Sequence, residues 1–421
     1  MRDLRHLMLH VKTYGQKHQA LYLLSLVLLF WAVFDGITTY VTPLVLTQGG
    51  LSKTAMGLIY ASSSVFGAGF DFLMCKLFKN SYYRRIFFGM FALCGIYLLI
   101  LSNAKTIWMF ILAMLLWGIY YDLKNFGSFD FIARFTRVTE HSSSFGVLSV
   151  FQAGGYLLAP MIAGFLIQDR VGAAPFIAAG IFLTVALLIL LGLFSRESVY
   201  PQEKLETQYR YRGFFYELKL WRRLDRVLLP VLVMMMMLNI IDAFFWTVGP
   251  LVAESFSSMH QFAGAFMVAY ELPVLIIGWF IGSVTAKFGK KRTAFLSLLS
   301  GSLVLILLGY LSEPLLMIAA VFFASMLMGF AWPALRAAFA DYIQETGKYE
   351  KEIEGLEDLY TNMGYIIGPA AAGFLADQLG NAKTFSVLGV MGVLTAIYLM
   401  KITPKKINVI KSLGGPQGTN I

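Results

Sequence analysis

Apolar residues along this chain gather into runs longer than most soluble helices, and polar residues collect in the short stretches between them. Twelve such runs can be marked, near 20–46, 54–75, 84–102, 106–132, 146–168, 174–195, 227–252, 262–285, 292–311, 315–343, 358–379 and 383–401. Roughly 20 apolar residues at about 1.5 Å each cross the hydrocarbon core of a bilayer, so each run is predicted to be a membrane-spanning helix. The pattern therefore predicts an all-α polytopic membrane protein.

The pattern also repeats. Phe34 to Val45 reads FDGITTYVTPLV, and 207 residues later the chain reads IDAFFWTVGPLV, both within the frame D-x5-V-x-P-L-V. A second frame, G-Y-[LI]-[LI]-[AG]-P-x-x-A-G-F-L, runs from Gly155 and again from Gly364, an offset of 209. It falls in spans five and eleven. More faintly, Gly118, Asp130 and Ile132 of span four align with Gly329, Asp341 and Ile343 of span ten. Each correspondence is six spans apart, so the twelve spans are two six-helix bundles. An even number of spans before the second copy gives both the same orientation, which makes them parallel repeats.

The predicted organisation is 1–19 as a cytoplasmic N-terminus, 20–195 as the first bundle, 196–226 as a linker, 227–401 as the second bundle and 402–421 as a tail. The linker carries YRYRGFFYELKLWRRLDR. It reads as an amphipathic helix at the lipid headgroups, or as a solvated connection that only joins the halves. The tail is basic, then Gly-rich, and is expected to lack structure. Small residues in the second frame (Gly155, Gly164, Gly364, Gly373) would let another helix approach closely, and Pro160 and Pro369 would loosen the backbone there. Direct contact with a ligand is the other reading of this frame.

Composition agrees with the pattern: 58% of the 421 residues are hydrophobic, 14% are charged, and mean hydropathy is +0.69. That leaves too little charge to cover a soluble surface. The net charge of +10 does not call for nucleic acid as a partner, because Lys and Arg collect on cytoplasmic loops of membrane proteins. Thirty of the 34 lie on one set of connections, and only Lys53, Lys105, Arg170 and Lys383 on the other. This split places both termini in the cytoplasm of a cell (inner) membrane. Met1 to Gln19 is basic and leads into a full-length span, unlike a cleavable signal. Cys75 and Cys94 fall in or beside apolar runs and read as small core residues.

Within the runs, a few polar groups stand out. Asp35 and Asp242 occupy matching places about 15 residues into spans one and seven. A charged group at the centre of a membrane helix costs about 2.5–3.5 kcal/mol on insertion scales, so its repetition points to a use. Burial disfavours the charged form of a carboxyl. Such a group could take a proton on one side of the membrane and release it on the other, bind a cationic solute, or serve as a structural acid. Glu271, with Pro273 two residues on, offers a proton relay or a helix–helix hydrogen bond. In span four, Asp122, Phe126 and Asp130 share one face; Asp122 is expected to reach a cavity, and Asp130 to pair with Arg134 at i, i+4. Arg336 is expected to pair with Asp341 or another acid, and Asp71 is a candidate gate residue. Aromatic residues gather near the acids: Trp31 and Phe34 by Asp35, Tyr121 by Asp122, Phe245 and Trp246 by Asp242. Ring faces attract cations, although packing explains rings in such places equally well. No phosphate-binding loop, HExxH pair, His/Cys cluster or Gly-x-Ser-x-Gly elbow is present, so neither ATP-driven pumping nor enzymatic chemistry is expected, nor a metal or other cofactor. All five His lie at ends or connections.

Between spans eight and nine the chain reads Gly282-Ser-Val-Thr-Ala-Lys287-Phe-Gly289-Lys290-Lys291-Arg292. With the 6+6 repeat and the long middle connection, this resembles the major facilitator superfamily of secondary transporters, whose loop pattern is G-x-x-x-D-[RK]-x-G-[RK]-[RK]. Ala286 stands where that pattern has an acid, and the counterpart CKLFKNSYYRR keeps mainly Arg84 and Arg85. The Gly-Pro frame is similar to a fifth-span motif of the family's proton-coupled drug exporters. The resemblance implies a monomer working by alternating access, with spans 1, 4, 7 and 10 lining a central cavity and Lys287 to Arg292 as a gating loop. It implies a small organic solute, and protons, as partners. The reading that follows is a proton-coupled exporter of lipophilic or cationic compounds. A proton-driven importer of a neutral nutrient or metabolite, and a non-transporting sensor or lipid-handling protein on the same fold, are the alternatives.

Overall fold

The structure is a computed structural model, and it describes residues 19–77, 83–136, 141–167, 170–195, 214–256, 262–278, 280–346 and 349–404. Among the described residues there is no strand, and fourteen helices follow in order: α1 Gln19–Gln48, α2 Lys53–Leu77, α3 Tyr83–Ser102, α4 Ile107–Phe135, α5 His141–Leu166, α6 Ala174–Ser195, α7 Phe214–Glu254, α8 Ala265–Ile277, α9 Ile281–Phe288, α10 Lys290–Leu308, α11 Pro314–Met328, α12 Ala331–Thr346, α13 Glu350–Leu379 and α14 Asn381–Ile402. The termini before residue 19 and after 404, the linker over 196–213 and the loop 78–82 lie outside the described residues, as do the side chains of Asp71 and Cys75.

The fourteen helices fall on the twelve predicted spans because two spans are broken. Span eight divides into α8 and α9, and span ten into α11 and α12. The second break has a visible cause: Pro333, in the first turn of α12, has no N–H to give the carbonyl of Gly329, where α11 ends. Among the described residues nine helical spans are long and apolar enough to cross a membrane, α11 and α12 counting together as one, or ten when α8 and α9 are joined as well. Gly289 and Gly380, at φ of 81° and 86°, join α9 to α10 and α13 to α14; a side chain there would strain the turn.

The chain divides into two compact units. Unit 1 is Met1–Gly50, Ser62–Leu205 and His260–Gly264; unit 2 is Leu51–Ala61, Glu206–Met259 and Ala265–Ile421. These differ from the two predicted bundles at Leu51–Ala61 and at His260–Gly264. Within unit 1 the most apolar stretch of α1 is 67% buried, and within unit 2 that of α7 is 72%; the same measure is 22–50% for the other spans. Each unit is thus built around its own copy of the D-x5-V-x-P-L-V helix. The others turn bare apolar side chains outward, such as Leu99, Trp108, Phe165, Leu315 and Leu394, all more than 60% exposed and suited to lipid.

Two expectations change here. The stretch 214–226, expected as part of a separate linker, is the start of α7: Leu220 and Leu224 are buried, and Asp225 accepts a 2.7 Å hydrogen bond from Tyr360 of α13. Lys124, counted above with a cytoplasmic connection, lies inside α4 and is only 5% exposed.

Candidate functional site

In unit 1 the carboxyl of Asp35 is 2% exposed and fully engaged. Its Oδ1 accepts from Trp117 Nε1 at 3.2 Å and Tyr120 Oη at 2.6 Å, both on α4; its Oδ2 accepts from Tyr156 Oη of α5 at 2.7 Å. The sequence arranges this through small residues. Gly155 sits so close to α1 that a Cβ there would lie 2.5 Å from the Leu29 carbonyl oxygen, and a Cβ on Gly36 would meet that of Ala159 at the same distance. The close approach of α5 carries the next residue, Tyr156, into range of the acid. Buried polar groups need such partners, since an unpaired one costs about 1–3 kcal/mol.

Unit 2 builds the same device. Asp242 of α7 accepts from Tyr270 of α8 at 2.8 Å and from Tyr365 of α13 at 2.7 Å. Gly364 repeats the part of Gly155: a Cβ there would lie 2.6 Å from the Cβ of Asn239 and 2.8 Å from the Met236 carbonyl oxygen. In each unit, then, the Tyr of the G-Y frame hydrogen-bonds the Asp of the other repeated frame.

Beyond this shared core the units part. Next to Asp242 unit 2 has a cavity of about 390 Å³, lined by Asp242, Glu271, Tyr270, Tyr365, Trp332 and Arg336 and by apolar residues including Leu238, Ile241, Val274 and Met328. Glu271 is held by the indole of Trp246, and Asp242 is the acid whose charge acts on it. Phe245 does not line this cavity, as a cavity aromatic would. It stacks behind Tyr270, ring centroids 4.0 Å apart and planes within 13°. Ser325 donates to the Tyr270 carbonyl and steadies α8 against α11. In unit 1, Trp31 and Phe34 are both 0% exposed and pack against Tyr120, which makes them walls around Asp35. Lys124, one turn beyond Tyr120, places its Nζ 4.1 Å from the ring centre of Tyr121 and 5.2 Å from that of Trp31.

The remaining predicted residues fall as follows. Asp122 turns its carboxyl toward α2, where Oδ2 would stand 2.9 Å from a Cβ on Gly67, so it faces a helix contact and not the acid cluster. Asp130 binds Arg134 at 2.9 Å and also accepts from the Tyr83 backbone N–H at 2.8 Å, at the start of α3. Its repeat partner Asp341 binds Lys290, the first residue of α10, at 2.6 Å through both oxygens. Asp341 is thereby taken by Lys290 and not by Arg336. Arg336 instead lies 5.9 Å over the Trp332 ring, with Glu357 the acid its charge acts on. Of the predicted gating loop only Gly289 lies between helices: Lys287, in the last turn of α9, lies 5.4 Å from the Phe288 ring, while in the first turn of α10 Lys291 donates to the Pro404 carbonyl at 2.8 Å and Arg292 is exposed. In unit 1, a Cβ on Gly164 would lie 2.7 Å from the Gly264 nitrogen. In unit 2, Pro369 and Gly373 lie against Gly57 and Lys53 at the start of α2.

Membrane helices in two repeat units, each holding a buried acid on its central helix, define a polytopic solute carrier. The model for the Major Facilitator Superfamily matches residues 23–248 and 231–417, and the chain belongs to that superfamily. It is a transporter rather than an enzyme. Among curated relatives it is similar to Multidrug resistance protein 1 of Bacillus subtilis (strain 168), 25% identical over 364 residues, which covers 81% of this chain and 86% of that protein. It is also similar to Multidrug resistance protein 2 of the same organism, 24% identical over 254 residues, where the match spans 59% of this chain and 61% of that protein. Solved structures of like fold include the nucleoside transporter NupG, with a TM-score of 0.69 at 13% identity over 92% of this chain and 100% of that one. A peptide transporter POT in complex with sulfate gives 0.70 at 14%, over 93% and 96%.

Proposed function

We propose that this transporter exports lipophilic or cationic compounds in exchange for protons, by alternating access, as a monomer whose termini both lie in the cytoplasm of a cell (inner) membrane. The observation that carries the proposal is the cavity beside Asp242: two carboxyls, Asp242 and Glu271, against a single guanidinium, Arg336, in a chamber whose remaining wall is mostly aromatic and apolar. A carboxylate in such a chamber can hold a proton or the positive group of a solute, but not both at once. That exclusion is the elementary form of exchange. Trp332 and the aliphatic wall offer a lipophilic solute the rest of its surface. The names of the two Bacillus subtilis relatives, both multidrug resistance proteins, support the same substrate class. Asp35, in this reading, is the matching proton-accepting acid of unit 1.

The test uses purified protein in proteoliposomes with an imposed pH gradient and tetraphenylphosphonium as the probe. Wild type should move the cation against the proton flow. Asp242→Asn and Glu271→Gln should each weaken its binding severalfold, because each keeps the side chain's size and removes the negative charge that attracts the cation. Cation flux that keeps its rate and its dependence on the gradient in both variants would defeat the proposal. Flux of solute and protons in the same direction would favour import, and no flux of any solute a non-transporting role.

A further inference from the structure

The proposed function makes no use of Lys124, yet its surroundings are built with care. Its ammonium group lies over the faces of Tyr121 and Trp31, at 4.1 and 5.2 Å, and the acids whose charges act on it are Asp35 and Asp122. Ring faces backed by a carboxylate are what a protein uses to bind an alkylammonium ligand. In unit 1 the ligand is part of the chain. The site is also preformed, for Trp31 is fully buried and Asp35 is fixed by three donors. Tyr121, 38% exposed, leaves one side open.

The repeat supplies the contrast. The alignment that pairs Gly118 with Gly329 and Asp130 with Asp341 sets Leu335 against Lys124, and Leu335 is wholly buried. Unit 2 thus has a leucine at this place; its nearest cation in sequence, Arg336, lies over Trp332 at 5.9 Å on the wall of the cavity and leaves that cavity open beside Asp242. We infer that Lys124 is a tethered cation occupying an ammonium-binding site in unit 1, and that it closes that site to solutes and leaves Asp242 and Glu271 as the acids open to them. The second part rests on the proposed function; the first does not.

Replacing Lys124 by Ala removes Cγ, Cδ, Cε and Nζ, the four heavy atoms of n-propylammonium. Full-length Lys124→Ala protein in nanodiscs should bind n-propylammonium saturably, in calorimetry or as a rise in melting temperature, at one site. Wild type, Lys124→Met and the Lys124→Ala/Asp35→Asn double variant should bind it at least tenfold more weakly, and neutral 1-propanol should not bind. Folded Lys124→Ala protein that binds propylammonium no better than wild type, or no worse after Asp35→Asn, overturns the inference. If Lys124→Ala accumulates poorly, propylammonium during growth and purification should restore it; no recovery, or equal recovery with 1-propanol, also overturns it. Adding Asp242→Asn to Lys124→Ala should leave this binding intact, so a failure of the cavity reading in unit 2 is told apart from a failure here.

Discussion

The placement of Asp242 turns on the bare backbone of Gly364, and substituting Ala there should cost both stability and transport. The added Cβ would stand 2.6 Å from that of Asn239 and 2.8 Å from the Met236 oxygen, whereas carbons rest at about 3.5–4.0 Å. Helix α13 must therefore back away from α7 by about 1 Å. Overpacking of this kind costs about 1–3 kcal/mol. The same shift stretches the 2.7 Å bond from Tyr365 to Asp242 beyond hydrogen-bonding reach, at about 1–3 kcal/mol more. Against this, Ala is the better helix former by about 1 kcal/mol. The net is a loss of about 1–5 kcal/mol. Gly95, in α3, is the control: nothing lies within 4 Å of a Cβ there, so only the helix-forming gain of about 1 kcal/mol remains. Melting followed by circular dichroism in one detergent should show Gly364→Ala falling by several degrees while Gly95→Ala holds or rises. Cation flux should drop in the first alone. Should Gly364→Ala melt with Gly95→Ala and transport normally, the argument that close backbone contact positions the acid is wrong.

The tyrosine donors themselves can be removed one at a time. Tyr365→Phe leaves Asp242 with Tyr270 alone, whereas Tyr156→Phe leaves Asp35 with two donors. Both should slow initial transport rates, with Tyr365→Phe the more severe; the reverse order would contradict the accounting. Asp377 accepts from the backbone N–H groups of Lys53 and Thr54 and from the Thr54 hydroxyl, and so caps α2. Asp377→Ala should cost about 0.5–2 kcal/mol by melting, and no change at all would deny the cap a role. The Lys290–Asp341 pair is more than a third exposed on both sides, so a double-mutant cycle should give only about 0.2–1 kcal/mol, shrinking as salt is added. A coupling that salt leaves untouched would point to some other contact.

Much of the fold could be read from the sequence because a bilayer imposes length and polarity with little room for compromise. The runs around Ala20 and Leu228 had to be helices, and the paired Asp35 and Asp242 announced themselves by being expensive. The breaks at Gly278 and Gly329 were hidden, since a hydropathy window averages across them, although Pro333 was a signal for the second. The tyrosines were in plain view and misjudged. Tyr156 and Tyr365 recur in a frame read as packing or ligand contact, whereas its glycines pack and its tyrosines reach the acids. Lys124 was lost for a different reason: by position alone it lies near the end of a span and joins a charge tally. Only the neighbouring rings of Trp31 and Tyr121, one of them on another helix, reveal that it is inside.

Among the described residues, every donor to Asp35 belongs to unit 1, and every donor to Asp242 to unit 2. Each unit accordingly supplies the described partners of its own acid. A primordial gene encoding one half could have dimerised with its acid already tamed, and duplication would then have freed the copies to diverge. One could acquire a lysine and the other an opening, without either needing to reinvent the hydroxyls that keep a carboxyl at home in oil.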